Sequence, residues 1–212
     1  IFCVNINFLF LTKMPKLYKK DYFRDNCGFG LIANVHGKPS RKIVLDSIEA
    51  LKSMTHRGGI GSDGKTGDGC GLLLNLNKKF FIKTLENEQN IKLSEKFAVG
   101  QLFYYQDIQV IEEKIKYILL KEGLKLCAKR EVPINKSILG NIALDCMPNV
   151  YQLFIEPKEE MLDAEFETAL LQSRKFIEEI YLDDEKLYFC SFSNKTIIYK
   201  GLMLPKDIEN FY

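Results

Sequence analysis

Residues 25–81 read DNCGFGLIANVHGKPSRKIVLDSIEALKSMTHRGGIGSDGKTGDGCGLLLNLNKKFF, and the periodicity changes repeatedly within them. FGLIANV at 29–35 is a near-continuous apolar run bounded by glycines, the pattern of a strand buried on both faces. From Ser40 onward, Val44, Ile48, Leu51 and Thr55 recur at helical spacing, with Ser40 as N-cap and Gly58 and Gly59 as the stop. Residues 58–71 then hold seven of the chain's 14 glycines. No regular element tolerates that density, so the stretch is a loop whose backbone takes positive φ or approaches something closely. CGLLLNL at 70–76 returns to the pattern of a strand.

Outward from this stretch, strands are predicted at 97–105, near 124–132 and at 149–155. Ile108, Ile111, Ile115, Ile118 and Leu119 mark a helix, and a shorter one is expected near 136–147. Residues 159–181 form a long amphipathic helix through Leu162, Phe166, Ala169, Phe176, Ile177 and Ile180, with acidic residues at the start where the helix dipole favours them. LYFCSF and KTIIYK straddle Ser193-Asn194 and read as a hairpin. Strands that are apolar on both faces, combined with amphipathic helices, imply layered sheets with helices outside.

With 212 residues, 46% hydrophobic and 27% charged, the chain has the composition of an ordinary globular protein able to bury a real core. Lys and Arg number 30 against 28 Asp and Glu and are spread along the chain, which supports neither nucleic acid nor an anionic membrane as partner. Six cysteines, at 3, 27, 70, 127, 146 and 190, form no C-x-x-C pair, and two histidines supply metal ligation poorly. Reduced thiols and a cytoplasmic setting follow from so sparse a cysteine content. The apolar opening, IFCVNINFLFLTK, lacks a basic n-region and a small-residue cleavage site and is too short to span a bilayer. As residue 1 is Ile and Met14 opens a more polar stretch, translation upstream of the true start, or a fragment, is expected.

Several motifs compete for the chemistry. GIGSDGKT at 59–66 fits the phosphate-loop pattern G-x-x-x-x-G-K-[ST], but that loop needs a strand before it and a helix after it. Here a helix precedes and a strand follows, which disfavours nucleotide binding. Asp63 and Asp68 lack the spacing of a calcium loop and read as turn residues. His36 sits in a turn before Gly37-Lys38-Pro39, and His56 lies at a helix end where an imidazole is structurally useful, so neither position marks a general base. Cys27 differs. An isolated cysteine is ordinarily a small buried hydrophobe, yet DNCGFG sets this one between a polar segment and an apolar run, with Gly28 and Gly30 leaving room for a substrate beside the backbone.

The stretch 25–81 resembles the opening of the class-II glutamine amidotransferase domain of glutamate synthase large subunits. FAVGQLFY, REVPIN at 130–135, FCSFSNKTIIYKGL at 189–202 and the closing FY agree in order and spacing, so the resemblance runs from about Tyr22 to Tyr212. It implies an α+β fold, the four-layer αββα sandwich of antiparallel sheets of N-terminal nucleophile hydrolases, present as an incomplete domain. It also implies cleavage between Asn26 and Cys27, which makes 1–26 a leader and 27–212 the N-terminal part of the amidotransferase domain, truncated at its C-terminus. Cys27 then becomes the nucleophile with its own α-amine as base, hydrolysing glutamine to glutamate and ammonia. Arg57 and Gly58 match the family's H-R-G step near the nucleophile and are implied supports for substrate or nucleophile. A surface arginine favoured by a helix C-terminus is the competing reading of Arg57.

The same resemblance implies what lies elsewhere. The arginine that clamps the glutamine carboxylate, in R-[YF]-S-T-N-T, and the Asn-Gly oxyanion pair, in H-N-G-E, belong downstream of Tyr212, and no Asn-Gly occurs in the chain. Since losing one oxyanion donor costs about 10²–10³ in rate, the 212 residues alone are expected to be inactive. No cofactor is expected within them. The full-length family carries FMN and an iron–sulfur cluster and takes electrons from NAD(P)H, through an FAD-containing small subunit, or from ferredoxin. Implied partners are L-glutamine, the rest of the large subunit and that small subunit. A catalytically inactive fragment or binding module that keeps the fold is the alternative.

Overall fold

The structure, a computed structural model, describes residues 28–181 and 187–212. In chain order these build α1 (Arg41–Ser53), β1 (Cys70–Asn75), α2 (Lys78–Gln89), β2 (Ala98–Tyr104), α3 (Gln109–Lys121), β3 (Leu124–Glu131), α4 (Asn141–Asp145), β4 (Asn149–Pro157), α5 (Asp163–Ile180), β5 (Leu187–Ser193), β6 (Thr196–Gly201) and α6 (Ile208–Phe211). Helices with antiparallel pairing make this an α+β fold, as expected. The chain divides into two compact units. One holds residues up to Leu72, Lys136–Asp145 and Lys200–Phe211. The other holds Leu73–Asn135, Cys146–Tyr199 and Tyr212.

The second unit is organised by a four-stranded sheet in the order β3-β4-β2-β5. Successive strand residues face opposite sides, and here both sides are buried. Ala98, Leu102 and Tyr104 of β2 face Ile111 and Ile115 of α3 and Phe166 and Leu170 of α5. Val99 of β2 and Phe154 of β4 face the other way, onto Phe81 and Leu85 of α2 and Ile197 of β6. This double burial is why these strands lack polar alternation. The exception is a polar line across the sheet: Gln152 donates to Gln101 at 3.0 Å, and Arg130 of the REVPIN stretch donates to Gln152 at 2.9 Å and to both oxygens of Glu88 at 3.0 Å. The two buried amides, Gln101 and Gln152, thereby gain a partner in place of lost water, although Gln101 Nε2 has none among the described residues.

β1 and β6 pair in a separate two-stranded sheet. The expected 193–194 hairpin is therefore corrected. Ser193 Oγ does hold a tight reversal, accepting from Lys195 N at 3.0 Å and Thr196 N at 3.3 Å. Yet β5 continues onto β2, whereas β6 continues onto β1. A run of apolar residues states that a strand is buried, not which neighbour it takes.

Three further expectations change. FGLIANV at 29–35 is irregular, with Phe29, Leu31 and Val35 exposed at 80%, 70% and 93%. A strand exists only where a neighbour takes its N–H and C=O groups, and no described strand pairs with this run. Helix α1 starts at Ser40, whose Oγ accepts from Ile43 N at 3.4 Å, but ends at Ser53 and passes into a 3₁₀ turn at Thr55–Arg57. Met54 N donates to Leu51 O at 3.0 Å and Thr55 Oγ1 to Lys52 O at 2.6 Å, so no left-handed glycine is needed to satisfy these last carbonyls. Gly58 is extended, with φ −107°. Finally, α2 is a helix the periodicity did not mark: it buries only Phe81 and Leu85, and is defined by its ends, an Asn77 cap and a left-handed Asn90 at φ 56°.

Candidate active site

The glycine-rich loop lies in the first unit and is tied together by its own aspartates. Ile60 and Gly67 form a single antiparallel bridge, and Gly61 N donates to Thr66 O at 2.7 Å. Gly64 turns the tip at φ +70°, donating to Gly61 O at 2.9 Å. Asp63 Oδ1 accepts from Lys65 N at 3.0 Å and Thr66 N at 2.8 Å, while Oδ2 accepts from Thr66 Oγ1 at 2.6 Å and Ile142 N at 3.1 Å. Thr66 Oγ1 in turn accepts from Ala143 N at 3.2 Å, so the loop caps the first turn of α4. The Thr66 hydroxyl first, then the Thr66 and Lys65 amides, hold the Asp63 carboxyl well below the usual carboxylate range. A phosphate loop would need these amides free. Here Asp63 occupies them, and β1 rather than a helix follows, so 59–66 is no phosphate site.

Beside the loop is a concavity whose lining includes Gly28, Met54, Arg57, Gly58, Asp68 and Met203. Gly28 follows Cys27 directly. A Cβ on it would stand 3.4 Å from Met54 Sδ and 3.8 Å from Arg57 Cβ and Cγ, so the backbone of Gly28 neighbours Arg57 with room for a side-chain carbon between them. Cys27 itself, and residues 1–26, lie outside the described residues. The Arg57 guanidinium is exposed, and no carboxylate pairs with it among the described residues. Gly59, two residues on, donates its N–H to Asp68 Oδ2 at 2.5 Å, and a Cβ there would stand 2.8 Å and 3.0 Å from the two Asp68 oxygens.

Gly28, Arg57 and Gly58 thus line one concavity. His36 and His56 are exposed and do not line the concavity, His56 Nδ1 lying 3.1 Å from Ser53 O. Cys70 is buried, and burial, then the charge of Asp207, pushes its thiol up to about 12, which leaves it protonated and inert. Burial, with Glu156 beside it, does the same to Cys127. Asp68 was missed as a site residue: its partner is nine positions away, beyond any local turn rule.

A domain that gathers an H-R-G step and a glycine-rich loop around the residue after Cys27 has the marks of an amidotransferase, and residues 27–212 match the family model of class-II glutamine amidotransferases. The chain belongs to that family, and the match opens on Cys27. Within it, the chain is 39% identical over 197 residues to ferredoxin-dependent glutamate synthase 1 of Arabidopsis thaliana, covering 89% of this chain and 12% of that protein. It is 36% identical over 209 residues to the NADPH glutamate synthase large chain of Bacillus subtilis, covering 95% and 14%. It is 35% identical over 214 residues to the NADH glutamate synthase of Saccharomyces cerevisiae, covering 92% and 10%. The chain therefore spans only a small part of the length of these relatives. Among the described residues no helix is long and apolar enough to cross a membrane.

Proposed function

We propose that residues 1–26 are a leader whose removal makes Cys27 the first residue, and that Cys27 then hydrolyses the side-chain amide of L-glutamine. The observation that carries this reading is that the family match begins at Cys27 itself. A free α-amine, with reference pKa near 7.7–8.0, takes the proton of a thiol whose own reference is near 8.5, so no histidine is required. The thiolate attacks the amide carbon, and the tetrahedral intermediate collapses as the amine's proton passes to the leaving nitrogen, releasing ammonia. Water, deprotonated by the same amine, attacks the resulting glutamyl thioester, which frees glutamate and restores the thiol. Arg57 and Gly58 support the site: both line the concavity with the residue that follows the nucleophile, and Arg57 has no described carboxylate to engage its charge.

On the same reading the chain is the glutaminase portion of a glutamate synthase large subunit. Its ammonia would aminate 2-oxoglutarate reductively at a flavin site elsewhere in the polypeptide, with FMN and an iron–sulfur cluster there. The relatives are named for ferredoxin, NADPH and NADH, so the electron donor is left open between ferredoxin and NAD(P)H, the latter through an FAD-containing small subunit. A cytoplasmic setting belongs to the same reading, since six cysteines without a C-x-x-C pair are too sparse for a disulfide scaffold in a chain of this length.

Intact-mass measurement of the active protein is expected to find Cys27 as its first residue, and a glutamine-like electrophile to label that residue. Glutamine turnover should disappear in Cys27→Ala. An active protein whose N-terminus remains upstream of Cys27 would refute the mechanism.

A further inference from the structure

We propose that Asp68 is a positioning residue for the glutaminase reaction: its carboxylate, by holding the Gly59 N–H, fixes the Arg57–Gly58–Gly59 corner beside Gly28, the residue after the nucleophile. The inference rests on Cys27 as nucleophile.

The two aspartates of the glycine-rich loop do different work. Asp63 at the tip accepts four hydrogen bonds, all serving the turn and α4. Asp68, at the other end, lines the concavity with Gly28 and Arg57, and within the described residues its carboxylate accepts from one donor, Gly59 N, at 2.5 Å. A bond from an amide to an ionised carboxylate is among the stronger neutral-to-charged contacts. It is made to the residue following Arg57-Gly58, and the glycine is required, since any Cβ would press on the carboxylate. The corner it fixes carries Arg57, which lines the same concavity as Gly28, its Cβ and Cγ 3.8 Å from where a Gly28 Cβ would stand. A carboxylate spent on a single amide at the wall of the cavity, without a cation or a helix end to serve among the described residues, is placed to hold that wall still. Its leverage is geometric, because a displacement of about 1 Å at a reacting pair costs about 10²-fold in rate.

The test uses the full-length native protein with its leader removed. Asp68→Ala is expected to lower kcat for glutamine hydrolysis by about tenfold or more with KM changed less than about threefold, the signature of lost alignment rather than lost binding. Asp68→Asn, whose amide oxygen still accepts from Gly59 N, is expected to recover kcat to within about threefold of wild type. Gly59→Ala, which leaves Asp68 in place but drives a Cβ against it, is expected to repeat the loss seen in Asp68→Ala. If Asp68→Ala does not fold, the contrast between Asp68→Asn and Gly59→Ala decides. Wild-type kcat in folded Asp68→Ala or folded Gly59→Ala, or an Asp68→Asn variant as impaired as Asp68→Ala, would overturn the proposal while leaving Cys27 as nucleophile. A Cys27→Ala protein that still turns over glutamine would instead overturn the nucleophile, and this inference with it.

Discussion

Replacing Gly67 by alanine probes the packing beneath the glycine-rich loop. A Cβ there would lie 2.6 Å from the Met203 carbonyl oxygen and 2.9 Å from its carbon, and 3.2 Å from Leu204 Cδ2. The first two are backbone atoms, so no rotamer change relieves the overlap. Met203 and Leu204 are themselves buried at 1% and 6%, which leaves the 203–205 segment little room to retreat. Overpacking of this kind costs about 1–3 kcal/mol, and the immobility of the clashing atoms puts the expected cost at the upper end. For a protein of this size that is a fall in thermal midpoint of roughly 4–10 °C. Gly64→Ala in the same loop is the control: nothing stands within 4 Å of its Cβ, but φ is +70°, so the cost is backbone strain alone, about 1–2 kcal/mol. Asn tolerates that φ, so Gly64→Asn should recover much of the loss, whereas Gly67→Asn should recover none. Thermal unfolding followed by circular dichroism reads all four variants. A Gly67→Ala midpoint within 1 °C or so of wild type, on the same scale, would refute the close approach of loop and 203–205 segment.

In the second unit, Phe154 is fully buried with its ring 5.6 Å from that of Phe81 and 6.3 Å from that of Phe97, so Phe154→Ala is expected to destabilise by about 3–5 kcal/mol in urea unfolding, and a loss below about 1 kcal/mol would deny this cluster. Asp63 and Glu112 have depressed carboxyl pKa values, the first through the Thr66 hydroxyl and amides, the second through Lys129 and then, past a smaller opposing burial effect, Lys116. A depressed folded-state pKa means that stability is present above the unfolded value, near 4, and is lost as pH falls through the folded value. The urea midpoint of the wild type should therefore drop more steeply below about pH 4 than that of Asp63→Asn/Glu112→Gln, and parallel curves would contradict the assignment.

What could be read from the chain depended on how local its cause was. Ser40 and the spacing of Ile48 and Leu51 were enough for α1, because cap and buried stripe lie within one helix. The H-R-G step located Arg57 and Gly58 because a motif carries its own neighbours. By contrast, whether 29–35 becomes a strand, and which partner β6 takes, are decided by chain far away in sequence, and an apolar run holds no record of either. Asp68 fell between these cases: nine residues from Gly59, it is too distant for a turn rule and too close for the pattern of sheets to expose it.

The glycine-rich loop is where local letters mislead most. GIGSDGKT satisfies a phosphate-binding pattern because both kinds of loop need glycine for the same reason, a backbone that bends sharply and exposes amides. The difference lies in what receives those amides. In a phosphate loop they are left for a ligand, with a helix behind them. Here Asp63 brings its own anion, takes the Lys65 and Thr66 amides and reaches on to α4, so the loop is complete without a guest. Gly59 does another job: its missing Cβ lets the backbone reach the Asp68 carboxylate. A loop filled at its tip by its own carboxylate leaves none of those amides for a bound phosphate.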